Sequence, residues 1–121
     1  MKKKIMIVED DAEFQELYKG KLTEEGFNVS HAYVGKQALE MLKGDKPDLI
    51  LLDIMLPGGM NGFEVLENIK RTENLKNIPV IILTNLDGEA KTAKEIGAVD
   101  YIVKANTSLQ EVVEKVRKLL N

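Results

Sequence analysis

The 121-residue sequence contains no cysteine and no tryptophan, and it has one histidine and three prolines. The lack of cysteine excludes a disulfide framework and a thiolate metal site, so nothing in the sequence requires an oxidising compartment. The 17 basic and 20 acidic residues leave a net charge of −3, which argues against a nucleic-acid surface spread over the chain. We therefore expect no nucleic-acid binding by this domain alone.

Long apolar runs are also missing. The start of the chain imitates a signal peptide, but its apolar run ends at Glu9. The other runs fall far below the ~20 residues that a membrane helix needs. With 44% apolar residues and a length near the commonest domain size, the sequence predicts one soluble, cytoplasmic domain over residues 1–121 without membrane contact.

What the sequence does contain is a series of short apolar runs rich in isoleucine, valine and leucine. Continuous runs of this kind are typical of parallel strands that are covered on both faces. They predict strands at Ile5–Val8, Leu49–Leu52, Val80–Leu83 and Tyr101–Val103, with a weaker edge strand at 27–31. Helical patterns alternate with the runs, so we expect an α/β fold. Its doubly wound, five-stranded parallel sheet has the order 2-1-3-4-5 and carries five helices on both faces.

Two helices carry further signals. In the first, an apolar stripe of Phe14, Leu17, Tyr18 and Leu22 predicts the buried face. In the last, Ser108 stands three residues before Glu111, as a capping box requires.

Numbered in chain order with 27–31 as the second strand, four of the five predicted strands are followed by polar residues, at the sheet edge where ligands of parallel sheets bind. These residues are Glu9, Asp10 and Asp11 after the first run, Asp53 after the third, Thr84 after the fourth and Lys104 after the fifth. Asp11 is most simply explained as an acidic residue favoured at a helix start. Lone His31 is most simply a solvent-facing residue of the edge strand.

Neighbouring strands would bring Asp10 and Asp53 close enough to share a cation. Because the donors are oxygens only, the site favours Mg²⁺ or Mn²⁺. A carboxylate beside a metal, a hydroxyl and an ammonium is equipped to attack phosphorus. We therefore expect Asp53 to be the nucleophile, with Thr84 and Lys104 stabilising charge.

At these residues the sequence resembles the receiver domain of bacterial response regulators, over essentially the whole chain. The family pattern is matched by Glu9 and Asp10, Asp53, Thr84 and Lys104, in that order. Shorter matches occur at 53–57, 62–66 and 97–101. Any one of these matches is weak, but together they are highly specific.

The resemblance implies a phosphorelay domain rather than an enzyme with its own substrate. Asp53 would accept a phosphoryl group from a histidine kinase or phosphotransfer protein, with Mg²⁺ held by Asp10, Asp53 and the Met55 carbonyl. Glu9 would help through water, and Tyr101 would change rotamer as Thr84 moves. The resemblance also implies that an effector protein or a second copy of the chain would bind through the face of the fourth helix, fifth strand and fifth helix.

Three departures from the family pattern are visible. The loop after Pro57 contains an extra glycine at Gly58-Gly59, for which we expect local change only. The segment from Thr84 to Lys104 is short, which predicts a clipped fourth helix or preceding loop.

The third departure is Ala105, which follows Lys104 where the family usually has proline in a cis peptide. A cis bond before a residue other than proline costs roughly 3 kcal/mol, so we expect a trans peptide. That geometry predicts some displacement of the Lys104 ammonium from its aim at Asp53.

Apolar Met55 and Leu86, two residues beyond Asp53 and Thr84, match family positions that influence how quickly water reaches an aspartyl phosphate. They predict a long-lived phosphoryl state.

Three other functions are open to the same architecture. A flavodoxin-like electron carrier needs a Ser/Thr/Gly-rich loop after the first strand, where this chain is acidic. A phosphatase of the haloacid dehalogenase type needs a second acid two residues after Asp53, where this chain has Met55. A pseudo-receiver that only binds partners does not need the intact set of polar residues. The sequence allows both a stand-alone receiver and the front of a longer regulator.

Overall fold

The computed structural model describes residues 2–120, and within them five strands alternate with five α-helices. The strands are β1 (Lys4–Val8), β2 (Asn28–Ala32), β3 (Leu49–Leu52), β4 (Val80–Thr84) and β5 (Asp100–Val103). The helices are α1 (Ala12–Glu24), α2 (Gly35–Gly44), α3 (Gly62–Arg71), α4 (Ala90–Ile96) and α5 (Leu109–Leu120), and a 3-10 helix spans Lys104–Asn106. The predicted alternation is confirmed, with boundaries that differ by about one residue.

The five strands form one parallel sheet in the predicted order β2-β1-β3-β4-β5. Val8 at the end of β1 pairs with Ala32 of β2 and with Leu52 of β3. Thr84 at the end of β4 pairs with Val103 of β5. This register brings the residues that follow β1, β3, β4 and β5 to the same edge of the sheet.

Hydrophobic clusters lie on both faces of the sheet, which is why the strands read as continuous apolar runs. Alternate strand residues point to opposite faces, so Ile50 packs toward α2, α3 and α4 while Leu51 packs toward α1 and α5. All four residues of β3 are buried, whereas edge strand β2 is mostly half-buried. The predicted cover of helices on both faces is confirmed.

One predicted core position in α1 is wrong. Leu17 is 59% exposed, whereas Gln15 is buried together with Tyr18 and Leu22. Residues 15, 18 and 22 follow the i, i+3, i+7 spacing of one helix face, and Leu17 lies off that face. Hydrophobicity predicts that Leu17 is buried, but the rotation of the helix about its axis places the Gln15 side chain on the buried face instead.

The predicted helix starts are confirmed. Ser108 Oγ accepts a hydrogen bond from the Glu111 amide at 3.1 Å, and Glu111 Oε1 accepts one from the Ser108 amide at 3.1 Å. Asp11 caps α1, because its Oδ1 accepts hydrogen bonds from the Glu13 and Phe14 amides.

His31 is half-buried on edge strand β2 and packs edge-to-face on Tyr33.

The departures noted in the sequence stay local. Gly58 and Gly59 have φ angles of +87° and +86°, a region that L side chains rarely adopt, so the longer loop depends on both glycines. Helix α4 has only seven residues, which confirms the predicted clipped helix. Within residues 2–120, none of the helices combines the length and apolarity needed to cross a bilayer.

Candidate functional site

Three carboxylates meet at the carboxyl edge of the sheet. Glu9 and Asp10 follow β1, and Asp53 follows the neighbouring strand β3. One oxygen from each carboxylate lies within 4.8 Å of the other two. Glu9 and Asp53 are buried and Asp10 is exposed, so the cluster opens to solvent on one side. The predicted proximity of Asp10 and Asp53 is confirmed.

Lys104 reaches this cluster from the far side of the sheet. Its Nζ donates to Glu9 Oε2 at 2.6 Å and to Asp53 Oδ2 at 3.0 Å. Strand β5 is two strands from β3, so the contact depends on the length of the lysine side chain. No cis peptide occurs in residues 2–120, which confirms the trans bond before Ala105. The displacement of the ammonium from Asp53 expected with that bond is not seen.

The Asp53 carboxylate is held in a fixed orientation. Its Oδ1 accepts a hydrogen bond from the Met55 amide at 3.1 Å, and its Oδ2 accepts the bond from Lys104. Behind it, the Gly62 amide donates to Ile54 O at 2.8 Å. A Cβ at position 62 would lie 2.1 Å from Asp53 O, so only glycine fits there.

Burial and charge shift the pKa values of these groups in different directions. Burial, with further help from the nearby Asp53, raises the pKa of Glu9 to about 8 despite the opposing effect of Lys104. Burial also acts to raise the pKa of Asp53, but interactions with Glu9, Thr84 and Lys104 outweigh it and leave that pKa below its usual value. Asp53 is therefore ionised at neutral pH, as a nucleophile requires.

The pKa of Lys104 is raised. Burial acts to lower it, but the hydrogen bond to Glu9 and the charge of Asp53 act more strongly in the other direction. The ammonium therefore stays charged at neutral pH beside the Asp53 carboxylate.

Thr84 and Tyr101 contact the same residue of the loop after β4. Thr84 is fully buried, and its Oγ1 accepts a hydrogen bond from the Leu86 amide at 3.3 Å. The Tyr101 hydroxyl donates to the Leu86 carbonyl. The two residues predicted to switch together are therefore connected through one peptide segment.

Two positioning side chains were missed by sequence reasoning. Gln15 is 3% exposed, and its Nε2 lies 3.0–3.1 Å from the carbonyl oxygens of Ile7, Glu9 and Ala32. The Phe14 ring lies 4.2 Å from Lys104 Nζ, close enough for a cation–π contact. Both residues lie on α1, and a polar residue in phase with Tyr18 and Leu22 is the signal that could have revealed Gln15.

The apolar side chains predicted to shield the site differ in exposure. Met55 is 58% exposed and Leu86 is half-buried. The long-lived phosphoryl state stays a prediction.

The chain belongs to the response regulator receiver domain family, whose model matches residues 5–117. This match favours the receiver over the electron-carrier and phosphatase alternatives. The domain is a signalling module of two-component systems, in which receivers are phosphorylated on aspartate.

Individual relatives agree with the family. The transcriptional regulatory protein AfsQ1 of Streptomyces coelicolor is 41% identical over 102 residues, which are 83% of this chain and 44% of AfsQ1. The response regulator PleD of Caulobacter vibrioides is 41% identical over 106 residues, 86% of this chain and 23% of PleD. The chain thus spans less than half the length of these two curated relatives.

Among solved structures, the BeF3-activated N-terminal receiver domain of Klebsiella pneumoniae RstA superposes with a TM-score of 0.89 at 34% identity. The superposition covers 98% of both chains. The flavodoxin-like order of strands and helices is therefore that of the receiver family.

The residues present fit a magnesium ion. Receiver domains typically bind Mg²⁺ at an acidic site, and Glu9, Asp10 and Asp53 form such a cluster. Every side-chain donor in it is a carboxylate oxygen, the ligand type that Mg²⁺ prefers.

Proposed function

We propose that Asp53 is the phosphoryl acceptor of this receiver, with a histidine kinase or phosphotransfer protein as donor. The observation that carries the proposal is the convergence of Lys104 and the Glu9 and Asp10 carboxylates on an oriented, ionised Asp53. In the same proposal Asp10, Asp53 and the Met55 carbonyl hold Mg²⁺, and Glu9 acts through water. Bound Mg²⁺ would neutralise charge on the phosphoryl oxygens.

The chemical step uses one oxygen of the Asp53 carboxylate. It forms a bond to phosphorus as the bond from phosphorus to the donor's imidazole nitrogen breaks, and the electron pair of that bond leaves with the imidazole. The Lys104 ammonium and the Thr84 hydroxyl stabilise the equatorial phosphoryl oxygens by donating hydrogen bonds. Water later hydrolyses the acyl phosphate, so the domain promotes only its own phosphorylation and dephosphorylation.

Phosphorylation of Asp53 adds negative charge close to the Thr84 hydroxyl, which can turn toward it. When the Thr84 hydroxyl turns to the phosphoryl group, it gives up its contact with the Leu86 amide. The loop after β4 then shifts, and with it the carbonyl that accepts the Tyr101 hydroxyl. The change therefore passes from Asp53 to α4 and β5.

The face made by α4, β5 and α5 is the proposed docking surface for an effector or a second copy of the chain. Val99, directly before β5, is 47% exposed, and Leu119 of α5 is 44% exposed. These apolar side chains support a protein-binding role for the face that the switch reaches.

Exposure of the chain to a small acyl phosphate with Mg²⁺ tests the acceptor. Intact mass spectrometry should find one added phosphoryl group on the wild type and none on Asp53→Asn. Asp11→Asn serves as the matched control, because Asp11 caps α1 and lies outside the cluster. A full phosphoryl gain by Asp53→Asn would show that the acceptor is another residue.

A further inference from the structure

The loops that follow β4 and β5 are joined by one hydrogen bond. The Ala105 amide donates to Asn85 Oδ1 at 3.1 Å. Asn85 directly follows Thr84, and Ala105 directly follows Lys104. The bond therefore connects the backbones that carry two of the proposed catalytic groups.

This bond is available because position 105 has a backbone N–H. Proline has no N–H, so a proline at position 105 would leave the side-chain oxygen of Asn85 without this donor. Ala105 lies in the 3-10 helix Lys104–Asn106, whose first N–H groups have no partner within the helix. Asn85 supplies an acceptor to one of them, as a capping side chain does.

The side-chain contacts of Lys104 act on its ammonium. Glu9 and Asp53 bind the ammonium, and the Phe14 ring lies beneath it. The 3-10 helix itself is closed by a long hydrogen bond of 3.4 Å from the Thr107 amide to Lys104 O. The backbone next to Lys104 is thus anchored across the site by Asn85.

We propose that Asn85 is a positioning residue for Lys104, acting through the Ala105 amide to keep the ammonium aimed at Asp53. This inference rests on the proposed function, since it assigns Lys104 a role in phosphoryl transfer. It pairs the Asn85 side chain with the backbone N–H that a residue other than proline provides at position 105.

The first test measures the rate constant of phosphorylation by a small acyl phosphate in saturating Mg²⁺. Asn85→Ala should lower it about fivefold, which equals about 1 kcal/mol, the size of one hydrogen bond. Asn85→Leu should lower it equally, because it keeps the branched shape of the side chain and lacks the acceptor. The Mg²⁺ concentration for half-maximal rate should not change, since neither substitution touches a proposed ligand of the ion.

The second test asks whether the effect passes through Lys104. In a Lys104→Ala chain, Asn85→Ala should cause no further loss, because the group that it positions is gone. In an Ala105→Pro chain it should likewise have no effect, because the donor is gone. Hydrogen exchange of the Ala105 amide in the Asn85→Ala chain should be faster than in the wild type.

Each other outcome overturns a specific claim. If the wild type is not phosphorylated, the proposed function fails. If the wild type reacts and Asn85→Ala reacts equally fast, only the positioning role fails. A fivefold loss that persists in the Lys104→Ala or Ala105→Pro chain means that Asn85 acts directly on the acyl phosphate. A gain in Asn85→Ala with a loss in Asn85→Leu means that side-chain bulk controls access. Each of the last two results overturns the positioning role of Asn85.

Discussion

At the scale of single residues, the site depends on two carboxyl groups with opposite pKa shifts. Glu9 and Asp53 both contact Lys104 and are both buried. The pKa of Glu9 is raised to about 8 and that of Asp53 is lowered. The same pocket therefore keeps Asp53 ionised, as its proposed role of nucleophile requires, while it favours the protonated form of Glu9 in the metal-free protein.

This shift predicts how the stability of the metal-free protein depends on pH. Between the unfolded pKa of Glu9, 4.5, and its folded pKa of about 8, the native state binds more protons than the unfolded state. The contribution of Glu9 to the free energy of unfolding should therefore fall as pH rises, by at most about 1.4 kcal/mol per pH unit.

Urea unfolding at a series of pH values from about 5 to about 8 measures how the free energy of unfolding changes with pH. Glu9→Gln should flatten this dependence, because the amide does not titrate. The lowered pKa of Asp53 affects stability only near and below 3.8, and the raised pKa of Lys104 only above 10.5, so neither overlaps the window. An unchanged slope in Glu9→Gln would contradict the assignment.

Gly62 gives a second prediction at this scale. In Gly62→Ala the new methyl group collides with Asp53 O and the Ile54 backbone, and backbone cannot move aside cheaply. We expect a loss of about 1–3 kcal/mol in the free energy of unfolding, together with slower phosphorylation. Gly20→Ala is the control, because nothing lies within 4 Å of that site in α1, and it should gain about 0.5–1 kcal/mol. Equal effects of the two substitutions would refute the close approach.

At the scale of elements, α1 does more than cover one face of the sheet. Its Gln15 amide binds the carbonyl oxygens at the ends of β1 and β2, and its Phe14 ring lies beneath Lys104. The helix thereby fixes the loop that carries Glu9 and Asp10 relative to the lysine that arrives from β5.

Gln15→Leu should therefore cost more than its hydrophobic character suggests. The substitution removes the donor shared by buried carbonyl oxygens, and we expect a loss of about 1–3 kcal/mol in the free energy of unfolding. Leu17→Gln is the matched control on the same helix, because Leu17 is 59% exposed, and it should change stability by less than about 0.5 kcal/mol. A stabilised Gln15→Leu chain would show that the amide adds nothing.

The elements also show how far the sequence could predict the structure. Strand positions, sheet order and the convergence of Asp10, Asp53 and Lys104 follow from apolar runs and from the rule that ligands bind at the carboxyl ends of parallel strands. Gln15 rather than Leu17 lies on the buried face of α1. Which residues of the helix face the sheet depends on how the helix is rotated about its axis, and hydrophobicity alone does not predict that rotation. The contact between Asn85 and Ala105 depends on how two loops meet, and no local pattern encodes it.

At the scale of the whole molecule, the sheet brings groups separated by as many as 95 residues into one site, as in the contact of Lys104 with Glu9. The proposed phosphoryl chemistry at one edge is thereby tied to the packing of the strands that carry these groups. A ligand that binds only this assembled edge stabilises the fold by mass action.

Mg²⁺ should accordingly raise the thermal midpoint of the wild type in a concentration-dependent manner. Binding should be weak, because two carboxylates and one carbonyl are the proposed direct ligands and water supplies the rest. Asp10→Ala should abolish both the shift and the heat of binding in calorimetry. An Asp10→Ala chain that binds Mg²⁺ as well as the wild type would rule out this site.

The most direct test of the central claim locates the phosphoryl group chemically. After reaction with a small acyl phosphate and Mg²⁺, borohydride reduces an aspartyl phosphate to homoserine, which peptide mass spectrometry can place in the sequence. We predict homoserine at position 53 alone, at a level that falls sharply in Lys104→Ala. Homoserine at another position, with Asp53 intact, would contradict the account.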